Sequence, residues 1–214
     1  MMHFPYKYIS IEGNIGAGKT SLAVKLSSEM KSEIILEEFE ENPFLEKFYQ
    51  DPENYSLQVE LSFLLDRINQ LNNFFYKKHP DDLLTISDYY IGKCLIFSRN
   101  NLKEDAYSLF CRLYEALIYN LPQPDMLIYL NSNIKKLQSN IKKRGREYEQ
   151  SIPDTYLQNI ESLYLDFLVN QRNIPILWIE TNDKNFVEND EHFNSIKEAI
   201  INFPTKIEKK LILR

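Results

Sequence analysis

Short apolar runs alternate along the chain with longer stretches of helical periodicity, which is the pattern of a parallel sheet with helices on both faces. The apolar runs predict five strands, at residues 6–12, 33–37, 83–87, 125–130 and 175–180. The helical stretches predict eight helices, at 19–30, 42–49, 56–77, 90–98, 104–120, 134–143, 153–170 and 189–203. The last dozen residues fit neither pattern. Ligands of such sheets lie beyond the carboxyl ends of the strands, so polar residues at those ends are candidates for chemistry.

Composition indicates one α/β domain over residues 1–214, because 43% of the chain is hydrophobic and no Gly- or Pro-rich linker divides it. A net charge of −6 disfavours a nucleic-acid polymer as partner, since such a partner needs a basic surface. The chain has no signal-peptide pattern and no membrane-spanning apolar run. Neither Cys94 nor Cys111 has metal-ligand spacing. We therefore expect a reduced, cytoplasmic protein without a membrane partner.

The clearest motif follows the first predicted strand and opens the first predicted helix. It reads Gly13-Asn14-Ile15-Gly16-Ala17-Gly18-Lys19-Thr20, followed by Ser21, and matches G-x-x-x-x-G-K-[ST] in its required context. Backbone N–H groups of such a loop hold phosphates, Lys19 can reach the β- and γ-phosphates, and the Thr20 hydroxyl can bind Mg²⁺. The sequence therefore predicts a site for a nucleoside triphosphate such as ATP. The base-reading elements of switch GTPases are absent, which favours a small-molecule kinase.

An acidic stretch, Glu37-Glu38-Phe39-Glu40-Glu41, ends the second predicted strand. A kinase that phosphorylates a hydroxyl needs an acceptor within hydrogen-bond reach of the attacking oxygen, and Glu37 is the candidate. A solvated acidic turn before a helix would have the same composition.

A basic segment, Lys142-Lys143-Arg144-Gly145-Arg146, ends the sixth predicted helix. Basic residues suit any helix C-terminus, but guanidinium groups that close over a transferred phosphoryl group also stabilise its charge and exclude water. Because Arg144 and Arg146 flank a glycine in a chain with a phosphate loop, we expect this segment to be a lid.

With these three features in this order, the chain resembles the deoxynucleoside kinase family over about residues 8–203, and bacterial deoxyguanosine and deoxyadenosine kinases most. The matching segments are 11–21, 37–49, 60–67, 87–97 and 144–157. The resemblance implies a P-loop NTPase-type, three-layer fold with a five-stranded parallel sheet. It also implies phosphorylation of a deoxynucleoside 5′-hydroxyl with ATP and Mg²⁺, in nucleoside salvage. Family members are commonly homodimers, and the apolar faces of residues 57–75 and 109–119 are candidate interfaces.

The resemblance assigns roles to single residues of the catalytic site and the sugar site. Glu37 matches the carboxylate that takes the proton of the 5′-hydroxyl. Arg144 and Arg146 match the lid arginines that contact the transferred phosphate. Tyr49 matches a tyrosine at the sugar 3′-hydroxyl, and Glu149 matches its partner there.

Four further positions bear on the base and the metal. Arg67 matches a base-contacting arginine, and Glu60 stands where pyrimidine-preferring members carry a glutamine. An ionised carboxylate only accepts hydrogen bonds and guanine offers N1–H and N2 donors, so Glu60 favours deoxyguanosine over deoxyadenosine. Lys93 occupies the position of a further base-facing acid, which also favours a purine. Asp88, where many members have Glu-Arg, is expected to help hold Mg²⁺ or the 5′-hydroxyl.

Other positions have a less defined role. Asn140 replaces an additional lid arginine of several members, so weaker or differently specified donor binding is expected. Residues 182–187 fall where the family wraps its backbone around the donor adenine. Five aromatic residues either line the base pocket or, as their spacing favours, fill the core: Phe39, Phe63, Tyr90, Phe97 and Tyr114.

Two alternative functions stay open. A thymidylate-type nucleoside monophosphate kinase shares the loop and the lid, although Glu37 would repel an acceptor phosphate. A non-catalytic ATP-binding module also shares the loop, but such a module has no use for a base or for lid arginines.

Overall fold

The computed structural model describes residues 5–38, 42–77, 83–204 and 211–213. Its strands are β1 Tyr8–Gly13, β2 Glu33–Ile35, β3 Thr85–Ser87, β4 Met126–Asn131, β5 Ile176–Glu180 and β6 Leu211–Leu213. They form one parallel sheet in the order β2-β3-β1-β4-β5-β6. The predicted parallel sheet and its five strands are confirmed. The short β6, from the segment that fitted neither pattern, extends the sheet at one edge.

Eight α-helices lie within the described ranges, one for each predicted helix, and a short 3₁₀ helix covers Glu147–Glu149. The α-helices are α1 Lys19–Met30, α2 Leu45–Gln50, α3 Pro52–Lys77, α4 Lys93–Asn101, α5 Glu104–Ile118, α6 Ile134–Arg144, α7 Asp154–Asn170 and α8 Asp190–Ile201. The start of α3 differs most from its prediction, at residue 52 in place of 56. Pro52 lacks an N–H and has a fixed φ, and both properties suit the first helical position. The start of α4 follows a turn at residues 91–92. Phe39, Glu40 and Glu41 lie outside the described residues.

The core fills both faces of the sheet. On one face, Ile9 and Ile11 of β1 join apolar residues of α1, α6 and α8. On the other face, Tyr8 of β1 joins apolar residues of α3, α4, α5 and α7. This alternation follows from the strand period of two residues, and it gives the three layers that the sequence predicts. None of the helices in the described ranges is long and apolar enough to cross a membrane.

The strand order brings three polar strand ends to one edge of the sheet. Strand β3 pairs with β1 on one side and with β2 on the other. The carboxyl ends of these strands lead into Gly13, Glu37 and Asp88. Residues far apart in the chain therefore meet where ligands of open α/β sheets bind.

Candidate active site

The phosphate loop, residues 13–20, connects β1 to α1. Gly16 and Gly18 adopt φ values of 81° and 90°, in the left-handed region that favours glycine. Gly16 also lies against α6, since a Cβ there would approach the carbonyl oxygen of Leu137 to 2.7 Å. The side chain of Asn14 fixes the loop from inside by donating to the carbonyl of Leu157 across 2.8 Å. The loop is therefore held in a shape that directs backbone N–H groups toward an anion.

Lys19 folds back over this loop. Its ammonium donates to the carbonyl oxygens of Gly13 and Asn14, each across 2.9 Å. Burial, followed by the charge of Lys93, lowers the pKa of Lys19 to about 8. A bound phosphate would favour the charged form of this amine, because it brings negative charge into the buried site.

The end of the loop is joined to the end of β3. The Thr20 hydroxyl donates to Oδ2 of Asp88 across 2.5 Å, and the Glu37 backbone N–H donates to Oδ1 across 2.7 Å. Burial, with Glu37 adding to it, raises the pKa of Asp88 above its ordinary value. Asp88 therefore fixes the relative positions of the phosphate loop and Glu37. Hydroxyl and carboxylate oxygens beside a phosphate loop are also the ligands that Mg²⁺ prefers.

Two cations hold the side chain of Glu37. Arg67 donates to Oε1 through Nε at 2.8 Å and Nη2 at 2.5 Å. Lys93 donates to Oε2 across 2.8 Å. Burial opposes the charged form of Glu37, but Arg67 and Lys93 outweigh it and hold the pKa well below its ordinary value. Glu37 is thus a fixed, ionised acceptor beside the phosphate loop.

The resemblance placed both Arg67 and Lys93 at the nucleoside base, whereas in the structure both bind Glu37. The third N–H-bearing arm of Arg67, Nη1, donates to Sγ of Cys94 across 2.9 Å. Neither cysteine forms a disulfide: Cys94 is buried and Cys111 is partly buried.

Sequence reasoning missed Glu12, which is buried directly behind the phosphate loop. Its carboxylate accepts a hydrogen bond from the Tyr164 hydroxyl across 2.7 Å. Burial raises its pKa, while the charges of Lys93 and Lys19 oppose that rise. A polar residue at the end of an otherwise apolar strand was the available signal.

Glu60 is buried on α3, on the same helix as Arg67. Its Oε1 accepts a hydrogen bond from Nδ2 of Asn101 across 2.7 Å. Its Oε2 is buried and has no hydrogen-bond partner within the described ranges. Burial raises the pKa of Glu60 to about 7, against the opposing effects of Asn101 and Arg67. Asn101 is a second residue that the sequence did not indicate.

Tyr49 and Glu149 are brought together, as the resemblance implies. The ring of Tyr49 stacks on that of Tyr148, with centroids 5.7 Å apart. Burial, followed by Tyr156 and Glu149, raises the pKa of the Tyr49 hydroxyl well above its ordinary value. The Tyr49 hydroxyl therefore stays protonated and able to donate a hydrogen bond.

The basic segment lies over the loop side of the sheet. Glu149 accepts hydrogen bonds from both Arg144 and Arg146, the latter across 3.2 Å. Gly145 between them has φ 76° and ends α6, and no atom lies within 4 Å of the Cβ position. Asn140 donates to the carbonyl of Gly16 across 2.8 Å, which ties α6 to the phosphate loop.

One cleft has a volume of about 1880 Å³. It is lined by residues 16–20 of the phosphate loop, Glu37, Asp88, Arg144, Arg146 and part of residues 182–187. Lys136 holds this last segment by donating to the carbonyls of Asn182 and Lys184, at 3.3 and 2.7 Å. Phe186 lies against Gly18 of the loop.

The four aromatic candidates within the described ranges fall into two groups. Tyr90 and Tyr114 are part of the core, and Phe97 packs against it. The ring of Phe63 lies against the Arg67 guanidinium, with Cζ of Arg67 4.7 Å from the ring centroid.

Comparison with known proteins gives a consistent result. A model of the deoxynucleoside kinase family matches residues 9–204. The chain is 35% identical to a deoxyguanosine kinase of Bacillus subtilis, over 91% of this chain and 98% of that protein. It is 32% identical to a deoxyadenosine kinase of Dictyostelium discoideum, over 89% of this chain and 78% of that protein. Among solved structures, a deoxyadenosine kinase from M. mycoides with bound dCTP superposes with a TM-score of 0.75 at 26% identity, covering 90% of this chain and 98% of that one.

Proposed function

The chain belongs to the deoxynucleoside kinase family, and from this premise we propose that its substrate is a purine deoxynucleoside, with deoxyguanosine preferred over deoxyadenosine. The reaction transfers the γ-phosphate of ATP to the 5′-hydroxyl and recovers preformed deoxynucleosides as monophosphates. Similar proteins include kinases of both purines, so the preference rests on this chain's own residues.

Glu60 carries the proposed base preference. It is a buried carboxyl with one oxygen fixed by Asn101 and the other without a hydrogen-bond partner in the described part of the chain. A buried polar atom without a partner costs free energy that a ligand donor can recover. Guanine supplies two adjacent donors, N1–H and the N2 amino group, and hydrogen bonds from them would favour the ionised form of Glu60 over the protonated form that burial favours. Adenine and cytosine do not offer that pair of donors.

The phosphate donor is proposed to bind at the loop, with the lid arginines over its phosphates. Lys19, now on loop carbonyls, is placed to turn to the β- and γ-phosphates. Arg144 and Arg146 are held near the cleft by Glu149. The donor adenine is proposed to lie against residues 182–187, whose backbone Lys136 holds in place.

Mg²⁺ fits the donor set formed by the Thr20 hydroxyl and the Asp88 carboxylate. The described residues contain no group of three or more His, Cys, Asp or Glu side chains suited to a metal. Mg²⁺ that acts on a nucleotide is commonly held by one or two protein oxygens together with phosphate oxygens. When bound, the ion neutralises charge that develops on the phosphates.

Glu37 is proposed to orient the 5′-hydroxyl and to accept its proton. The loose transition state of phosphoryl transfer needs an aligned nucleophile more than a strong base, so a carboxylate of low pKa is sufficient. Glu37→Gln should lower kcat by roughly 10²-fold and leave ATP binding largely intact. Glu38→Gln, an exposed neighbour, is the matched control. Near-normal turnover of Glu37→Gln would remove this residue from the mechanism.

The base preference is tested by assaying the four natural deoxynucleosides in parallel with ATP and Mg²⁺. The wild-type protein should turn over deoxyguanosine fastest. Glu60→Gln should lower kcat/KM for deoxyguanosine relative to deoxyadenosine by about tenfold or more. Glu53→Gln, exposed on the same helix, should leave the ratio unchanged. A deoxyadenosine or deoxycytidine preference would reject the base assignment, and turnover of dTMP alone would favour a monophosphate kinase.

A homodimer is proposed from an exposed apolar stripe on α5. Leu109, Leu113 and Leu117 lie one helical turn apart and are 48%, 38% and 43% exposed. Leu65 on the neighbouring α3 is 49% exposed. Such contiguous apolar surface is typical of an interface. Leu113→Asp should convert a dimer to a monomer in sedimentation analysis, and a wild-type protein with monomer mass would contradict the proposal.

A further inference from the structure

The carboxylate of Glu37 has an open acceptor position on one oxygen only. Each carboxylate oxygen offers about two lone-pair positions. Arg67 fills both positions of Oε1 with Nε and Nη2. Oε2 accepts one hydrogen bond from the side chains that the structure describes, from Lys93. A hydroxyl that binds Glu37 without displacing either cation must therefore donate to Oε2.

From this geometry we infer that the 5′-hydroxyl docks on Oε2 of Glu37 beside the Lys93 ammonium, and that Lys93 is a further catalytic residue. The inference rests on the proposed kinase function and concerns its reacting atoms. A hydroxyl and an ammonium that share one carboxylate oxygen lie close to each other. Lys93 is thus placed at the attacking oxygen, and not at the base where the sequence put it.

The charge of Lys93 acts on both Glu37 and the phosphate loop. Lys93 is a buried residue at the first position of α4, five residues after Asp88. Its charge acts on Lys19 of the loop and on Glu12 behind the loop. Charges in such a buried site interact strongly because water does not screen them.

All three nitrogens of Arg67 are engaged in hydrogen bonds, whereas the Lys93 ammonium makes one hydrogen bond to the described side chains and lies 5.5 Å from the centroid of the Phe97 ring. The donors of Arg67 are directed to Oε1 of Glu37 and to Sγ of Cys94. An ammonium has three N–H groups, and one of those of Lys93 binds Oε2. The other two can donate to the attacking oxygen and to an oxygen of the γ-phosphoryl group. Arg67 therefore positions Glu37, and Lys93 contacts the reacting groups.

In the transfer step, the 5′-oxygen forms a bond to the γ-phosphorus while the bond from that phosphorus to the bridging oxygen breaks. The electron pair of the broken bond leaves with ADP, and the hydroxyl proton passes to Oε2 of Glu37. In the transition state, negative charge is spread over the three equatorial oxygens of the transferring group. Lys93 stabilises that charge from the acceptor side, while Lys19 does so from the donor side.

The test compares Lys93→Met with Lys93→Ala in the full-length protein. Lys93→Met should lower kcat by roughly 10²-fold or more, with KM values for ATP and deoxynucleoside changed by less than about threefold. Lys93→Ala should regain activity when propylammonium, which replaces the deleted atoms, is added. Neutral 1-propanol should not restore it. Lys197→Met is the control for loss of a cation, because it removes a lysine that pairs with Glu29 and does not belong to the proposed site.

Each alternative result has a distinct meaning. A kcat for Lys93→Met within about threefold of wild type overturns the inference and leaves the proposed function intact. Equal rescue by propylammonium and propanol assigns Lys93 to packing, and so does a loss of kcat that follows a fall in melting temperature. A wild-type protein that phosphorylates no deoxynucleoside refutes the proposed function, and the inference with it.

Discussion

Asn101 donates a hydrogen bond to Oε1 of Glu60 across 2.7 Å. The Glu60 carboxyl is buried, and burial raises its pKa to about 7. The folded protein therefore keeps a proton on Glu60 at pH values where the unfolded chain, with an ordinary pKa near 4.5, has released it. The stability that this proton contributes is fully present below about pH 4.5 and is lost as the pH rises through about 7.

Glu60→Gln should remove this pH dependence, because the amide does not titrate. The difference between the two pKa values corresponds to a loss on the order of 3 kcal/mol for the wild type by pH 8. The measurement is the midpoint of thermal unfolding at pH 5 and at pH 8. Between these two pH values, the midpoint of Glu60→Gln should change less than that of the wild type. Glu53→Gln should follow the wild type, and a Glu60→Gln profile parallel to the wild type would contradict the assignment.

Thr20→Val should weaken the response to Mg²⁺. Valine has the shape of threonine but cannot donate to Asp88 or ligate a metal, so the proposed Mg²⁺ site loses one of its two protein oxygens. The Mg²⁺ concentration for half-maximal activity should rise by about tenfold or more. Thr20→Ser keeps the hydroxyl and should stay near the wild type. An unchanged Mg²⁺ titration for Thr20→Val would remove Thr20 from the site.

Gly16→Ala and Gly145→Ala separate steric contact from backbone strain. Both glycines have left-handed φ, 81° and 76°, so alanine costs about 1–2 kcal/mol at either position. Only Gly16 faces a neighbour, the Leu137 carbonyl at 2.7 Å from the Cβ position, while Gly145 has open space. Urea unfolding should therefore show a larger loss for Gly16→Ala, and calorimetry should show loss of ATP binding in that variant alone. Equal losses of stability in the two variants would mean that α6 moves away from the methyl group added by Gly16→Ala without a measurable loss of free energy.

The sequence predicted the parts of the site that are local in the chain. The phosphate loop needs only a strand, three glycines and a helix start, all within residues 8–30, and its motif specifies the backbone directly. The basic segment is equally local, since α6 ends at Arg144 and Gly145 and Arg146 follow it directly. The sheet followed from apolar runs, because buried parallel strands are apolar on both faces.

The sequence could not place side chains whose position depends on packing between distant elements. Arg67 on α3 binds Glu37, which follows β2, although 30 positions separate the two residues. The resemblance assigns Lys93 to the base, but α4 begins after the turn at residues 91–92 and presents this side chain to Glu37. Glu60 and Asn101 lie on different helices, and no periodic pattern indicates that an amide should meet a carboxyl.

The lid hypothesis predicts that Arg144 matters and its neighbour Lys143 does not. Both are basic residues at the end of α6, and each pairs with a glutamate, Arg144 with Glu149 and Lys143 with Glu188. Both side chains line the cleft, but the partner of Arg144 is buried whereas the partner of Lys143 is exposed. A phosphate can therefore draw Arg144 away from Glu149 and onto the transferring group.

Arg144→Met should accordingly lower kcat by roughly 10²-fold, the usual effect of removing one donor to transition-state charge. Lys143→Met should change kcat by less than about threefold, because an exposed ion pair contributes little. Lys143→Met should alter the free energy of unfolding by no more than about 1 kcal/mol, because its ion pair is exposed. Arg144→Met removes one of the two arginines that pair with the buried Glu149, so a thermal melt of this variant separates a loss of stability from a loss of catalysis. Equal effects of the two substitutions would show that the segment acts through its net charge, and the lid assignment of Arg144 would then be wrong.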